Sequence, residues 1–353
     1  MLRLNLCSAA FALAVCGAGL HAQTIMTLPE VSQRAMVGQR IGLTDITIQY
    51  HRPLAGERKI WGGLVPYGEV WRAGANENTT IEFSTPVTIE GQPLAKGIYG
   101  LHMIPGSDSW TVIFSRNSSA WGSFTYNQKE DALRVTVKPQ PADAHNALTY
   151  DFDEVKPESV VVKLEWEKLA VPFTVSASEA ETTMASLRDE MRGGKQYTWE
   201  GGAEAAQYAL TKDIGLEDGL AWVEKSLAVE ERFENLVLKA DLLSALHRET
   251  EASPIRAKAM GTANVTQIYF YGRSLQARNQ PEQAMEIFRT TVKRFPDHWL
   301  GHMAAARLAS AAGDYAAALK EVKLVQGLEV PDAQKANLVN LARRLENKED
   351  INR

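Results

Sequence analysis

The chain has 353 residues, a formal net charge of −5 and no block of basic residues, which excludes the electrostatic footprint of a nucleic-acid binder. Its only cysteines, Cys7 and Cys16, both lie close to the N-terminus. Removal of a leader would therefore exclude disulfides, thiol catalysis and cysteine-ligated zinc together.

Residues 1–22, MLRLNLCSAAFALAVCGAGLHA, carry one cation at Arg3, an apolar run over residues 6–20 and a small residue, Ala22, before Gln23. Those are the three parts of a secretory signal peptide cleaved near Ala22. The expectation is an exported protein, periplasmic or secreted. LAVC at residues 13–16 offers a second reading, a lipoprotein processing site that leaves Cys16 as a lipid-bearing N-terminus; Val15 is larger than the residue usual there. Nothing later reaches the roughly 20 apolar residues of a membrane span, so no transmembrane segment is expected. Residues 23–38 read as an N-terminal extension.

From residue 41 to residue 175 the pattern is short apolar and polar alternation broken by Gly, Pro, Asn and Asp, which predicts strands. Ile46, Ile48 and Tyr50 alternate with Thr47, Gln49 and His51, and Val160, Val162, Leu164 and Trp166 with Val161, Lys163 and Glu165. Further runs fall at 79–83, 87–90, 97–104, 110–114, 133–138, 148–153 and 171–175. Strands in series without helices between them predict an all-β antiparallel sandwich or barrel over residues 39–176.

Residues 177–202 read as a connector holding one helix and ending at Gly193-Gly194. Beyond it the strand signals fade, and Gly272, Leu275, Ala284, Phe288 and Pro296 show the small-and-large spacing that lets two antiparallel helices pack closely. The next unit repeats it from Trp299 with Ala306, Gly313-Asp314-Tyr315 and Ala318; earlier units fit more loosely. This resembles the tetratricopeptide repeat. The C-terminal domain, residues 203–346, is thus expected to be an all-α array of helical hairpins that engages a protein or peptide partner. Residues 347–353 read as a polar tail.

In the β region the phrases QRIGLTDITIQYHRP (39–53), GERKIWGGLVPYGEVWRAGANENTTIEFS (56–84), VTIEGQPLAKGIYGLHMIPGSDSWTVIFSRN (87–117) and WGSFTYNQKEDALRVTVKP (121–139) resemble, in order and spacing, the bacterial domain-of-unknown-function family 2911. The resemblance implies export and brings no catalytic residues. The sequence departs from the family pattern at His51, where Ser commonly precedes the Arg-Pro pair, and at His102, where a bulky apolar residue is common.

The stretch at 59–84 carries the candidate ligand site. Trp61, Tyr67 and Trp71 offer flat apolar faces, and Arg72, Asn76, Glu77 and Asn78 offer donors and acceptors, a combination suited to a glycan or other small molecule; His102 is added as a neighbour. The structural alternative makes the glycines and Pro66 turn formers, the Trp rings a plug and Arg72–Glu77 a loop-holding ion pair. Glu77 and Glu82 are the one pair imaginable as glycosidase carboxylates. His51, His102 and Glu77 lack tight ligand spacing, so no metal ligand is assigned. His298 and His302 share a helical face without an acidic partner and read as packing residues. No pattern asks for a cofactor. The sequence favours an exported, non-catalytic binding or scaffolding protein, the alternative being a carbohydrate-active or other hydrolytic enzyme working around Trp71, Arg72 and Glu77.

Overall fold

The computed structural model describes residues 29–352; Cys7, Cys16 and the rest of the stretch read as a leader lie outside them. Strands β1 (Gln33–Ile41), β2 (Thr44–Arg52), β3 (Thr80–Phe83), β4 (Val87–Ile89), β5 (Gln92–Leu94), β6 (Gly97–Ile104), β7 (Trp110–Ser115), β8 (Asp131–Val137), β9 (Gln140–Lys156) and β10 (Ser159–Ser176) make the first part. They form two antiparallel sheets, β1-β2-β3-β6-β7-β8 and β5-β4-β10-β9. The period-two patterns put Ile46, Ile48, Phe83, Met103 and Phe114 of the first sheet against Tyr150, Leu164, Trp166 and Phe173 of the second, in one buried cluster. Burying each such side chain stabilises by about 1.5–3 kcal/mol.

Three details differ from the sequence reading. β1 takes in residues assigned to the extension; it is an edge strand exposed along most of its length, so it shows no oily alternation. The EGQPLAKG turn holds a strand of its own, because Glu90 and Gly91 both have positive φ (49° and 76°), the geometry of a tight two-residue hairpin. β10 is one continuous strand through Pro172, with register shifts near Glu167 (φ 57°) rather than a break.

Helices follow: α1 (Glu179–Glu190), α2 (Trp199–Lys212), α3 (Leu216–Val229), α4 (Phe233–Ala245), α5 (Glu249–Thr262), α6 (Val265–Ala277), α7 (Pro281–Arg294), α8 (Trp299–Ala311), α9 (Tyr315–Gln326) and α10 (Asp332–Glu346). α1 starts on the capping side chain of Ser178 and is tied onward by Lys212–Glu179 (3.2 Å) and Arg188–Asp218 (2.7 Å). From α2 the helices pair as α2/α3, α4/α5, α6/α7 and α8/α9, and first helices also lie side by side, α2 on α4 and α6 on α8. Close approach has a visible cause: a Cβ at Gly272 would stand 2.7 Å from the ring of Phe288, which is itself fully buried. Between hairpins, the buried Asp241 of α4 accepts hydrogen bonds from the Tyr271 hydroxyl of α6 and from Arg278 just past its end, both at 2.6 Å.

Residues 347–352 are not a loose polar tail. Lys348 takes positive φ (55°) just past α10, and Glu349 N–H returns to the carbonyl of Arg344 (2.9 Å), so the backbone reverses as at a left-handed helix cap and runs back onto the helical stack.

Candidate functional site

The structure divides the residues of the 59–84 stretch among several environments. Trp61 and Trp71 plug one end of the sandwich. Trp61 meets Trp71, Trp110 and Trp166 edge-on at 5.9, 4.9 and 5.8 Å, and Trp71 lies nearly parallel to Trp166 at 6.0 Å. Trp71 Nε1 donates to Gly74 O (3.2 Å), whereas Trp61 Nε1 is buried without a partner. Tyr67 stays apart: it is exposed and its ring covers Gly62.

Arg72 lies beyond the plug. Its guanidinium donates to Asn76 O (2.5 Å) and sits 5.5 and 5.4 Å from the ring centres of Trp121 and Phe124, a cation–π arrangement. Partial burial lowers its pKa, yet an arginine stays charged. A cleft of about 410 Å³ is lined by Trp71, Arg72, Asn76, Trp121 and Trp166 among others. Trp121 and Phe124 are exposed aromatics that the sequence reading did not single out, because the loop carrying them has no periodicity to mark it.

Glu77 does not pair with Arg72. Its carboxylate faces His51 Nε2 at 3.3 Å, and Glu30 faces the same nitrogen at 3.0 Å. Asn76, at a positive φ of 55°, turns its amide the same way and donates to Glu30 Oε2 (2.7 Å), so its backbone serves Arg72 while its amide group serves this second cluster. Asn78 is buried and donates to Asn117 O (3.1 Å). Glu82 projects to solvent from β3.

Although its ring and the Asn78 amide both border Gly100, His102 makes none of these hydrogen bonds. It is 2% exposed, its Nδ1 is 2.9 Å from Ser123 Oγ, and its ring meets Tyr126 edge-on at 5.4 Å. Burial drives its pKa down to about 4, against a smaller upward pull from Asp131, so the ring is neutral at physiological pH. His298 and His302 also have separate duties: His298 Nδ1 accepts from Leu300 N–H (3.1 Å) as the cap of α8, and His302 Nδ1 is 2.8 Å from Glu321.

The helical stack has a site of its own where residues 350–352 lie against α6 and α8. Arg307, only 4% exposed, donates to Tyr269 Oη (3.0 Å) and to Ile351 O (2.9 Å). Ser310 Oγ accepts from Ile351 N–H (3.0 Å) and lies 2.9 Å from Asp350 Oδ1. Gln276 donates to Asn352 Oδ1 (2.6 Å), and Asn352 Nδ2 donates to Arg307 O (2.9 Å). Ile351 is buried in the cluster that also contains Tyr269, Met303 and Leu345. Beside the segment a cleft of about 740 Å³ is lined by Arg273, Gln276, Met285 and Asn352 among others. Desolvation and, after it, the nearby Arg307 charge lower the Arg273 pKa.

Residues 32–175 match the family model described as a protein of unknown function (DUF2911). No curated protein matches the sequence. Among solved structures the protein is similar to YrrB, a TPR protein with an unusual peptide-binding site, at 16% identity over 46% of this chain and 84% of that one, with a TM-score of 0.26. It is also similar to a tetratricopeptide repeat protein from Parabacteroides merdae, at 14% identity over 48% and 71% of the two chains, with a TM-score of 0.29.

Proposed function

We propose, for a protein that joins a DUF2911 domain to a stack of helical hairpins, that it is an exported binding or scaffolding protein whose α6–α8 face takes up a segment of a partner protein. The observation that carries this reading is how residues 350–352 are held. Arg307 and Ser310 engage the backbone carbonyl and the backbone N–H of one residue, Ile351, contacts open to any peptide. Burial of the Ile351 side chain and the polar contacts to Asp350 and Asn352 add a sequence preference. Backbone hydrogen bonds for affinity with side-chain pockets for specificity is a general plan of peptide recognition. The Ser310 hydroxyl at Asp350 Oδ1 and the buried Ile351 favour a partner segment with an acidic residue beside an aliphatic one.

The test uses the protein ended after Asn347 and a fluorescein-labelled peptide of sequence NKEDIN, read by anisotropy. Binding is expected, and Arg307→Ala is expected to weaken it at least tenfold, about 1.4 kcal/mol. A truncated protein that keeps its helical circular dichroism and ignores the peptide would end the proposal.

Export rests on the leader-like residues 1–22. Mass spectrometry of the purified protein should find Gln23 at the N-terminus; an unprocessed Met1 contradicts it. For the β domain, the cleft lined by Trp71, Arg72 and Trp121 supports a small-molecule or glycan ligand, and glycan-array binding that disappears in Trp121→Ala is its check. A hydrolase built on Trp71, Arg72 and Glu77 has less support, because Arg72 and Glu77 turn to different neighbours.

A further inference from the structure

We infer that Glu30, His51 and Glu77 form a binding site for a divalent first-row transition ion of the zinc class. No part of the interaction reading above uses these residues. The ligand atoms, His51 Nε2 and one oxygen from each carboxylate, all lie within 4.8 Å of one another. Both carboxylates approach a single ring nitrogen, at 3.0 and 3.3 Å. That nitrogen carries at most one proton, so hydrogen bonding serves one carboxylate well and leaves two anions converging on the same point. A cation among the three removes that conflict. The spacing also suits one: bonds of about 2.0–2.2 Å in tetrahedral geometry place neighbouring ligand atoms about 3.4 Å apart, close to both observed separations.

The surroundings have the features of a built site. His51 is 7% exposed, and the Asn76 amide fixes Glu30 Oε2 from outside (2.7 Å), the kind of supporting hydrogen bond that orients metal ligands. Asn78 lines the same cleft, of about 430 Å³, and is 8% exposed. With its Nδ2 committed to Asn117 O, its Oδ1 is buried without a partner, an orphaned oxygen that a nearby ion or its water can satisfy. One imidazole with two carboxylates matches the nitrogen-and-oxygen donor set of zinc, cobalt or manganese better than the all-oxygen set of calcium. The three residues are far apart in sequence, which hides the site from any search for ligand spacing.

The test is titration of the EDTA-treated, dialysed full-length protein with ZnCl2 by calorimetry, repeated with CoCl2 under visible absorption. The expected results are a one-to-one stoichiometry, cobalt bands near 500–600 nm, and a rise of roughly 5 °C in the melting temperature at a hundredfold excess over Kd. Glu77→Gln removes one exposed ligand without touching the core and should weaken zinc at least tenfold with its metal-free melting temperature unchanged; His51→Asn combined with Glu77→Gln should abolish binding. Undiminished binding in the double variant would place the ion elsewhere, for instance at His302–Glu321, and overturn the assignment. Failure of the wild-type protein to bind zinc or cobalt at 0.1 mM, on the order of the weakest useful site, would overturn it as well. Neither result bears on peptide capture by the helical stack.

Discussion

His102 shows what a single residue does here, and its consequence can be measured. An ordinary histidine titrates near 6.5, whereas the buried ring of His102 is held down to about 4. The unfolded state therefore binds the proton more readily than the folded one, and stability falls as the pH drops from about 6.5 towards 4. Fully expressed below pH 4, the penalty is about 3 kcal/mol. Replacing His102 with Gln should flatten this limb, seen as denaturant midpoints at pH 7 and pH 4.5 that differ less than in the wild type; an unchanged pH dependence would contradict it. The sequence offered His102 as a neighbour of the candidate ligand site and as a departure from the family pattern, whereas its contacts with Ser123 and Tyr126 depend on a loop with no pattern. Glu30 left no trace at all in the sequence, because its partner His51 belongs to a strand and its neighbour Glu77 to a turn.

The elements were legible where burial imposes a period. β2 and β10 bury alternate residues along most of their length, which is why their apolar positions read as strands, whereas β1 is an exposed edge whose pairing to β2 is made by the backbone. In the helical stack the legible feature was the spacing of Gly272 and Phe288, and the structure shows its cause in the contact between α6 and α7. Gly272→Ala should therefore cost about 1–3 kcal/mol through overpacking, although alanine is the better helix former; a neutral or stabilising result in urea denaturation would show that the hairpin has room to spare. The Tyr271–Asp241–Arg278 contact between α4 and α6 was not legible, since buried polar pairing leaves no periodic signal.

At the scale of the molecule, the β domain has one core and the helices have two, one spanning α1 to α5 and one spanning α4 to α10. The sequence conveyed this two-part plan because sheets and helical hairpins bury their residues with different periods. It did not convey that residues 347–352 return to the stack, since the αL residue that reverses the backbone is Lys348 rather than the glycine that usually marks such a cap. In the proposed function the docked segment is what a partner has to displace. The most direct measurement is isothermal titration of the NKEDIN peptide into three proteins: the full-length protein, the protein ended after Asn347, and the full-length Ile351→Asp variant, which empties the apolar pocket while keeping the length. Competition by the resident segment predicts at least tenfold tighter binding to both altered proteins than to the intact one. Equal affinity in all three, or none in any with their helical content preserved, would contradict the account and leave residues 350–352 as a seal on the end of the stack.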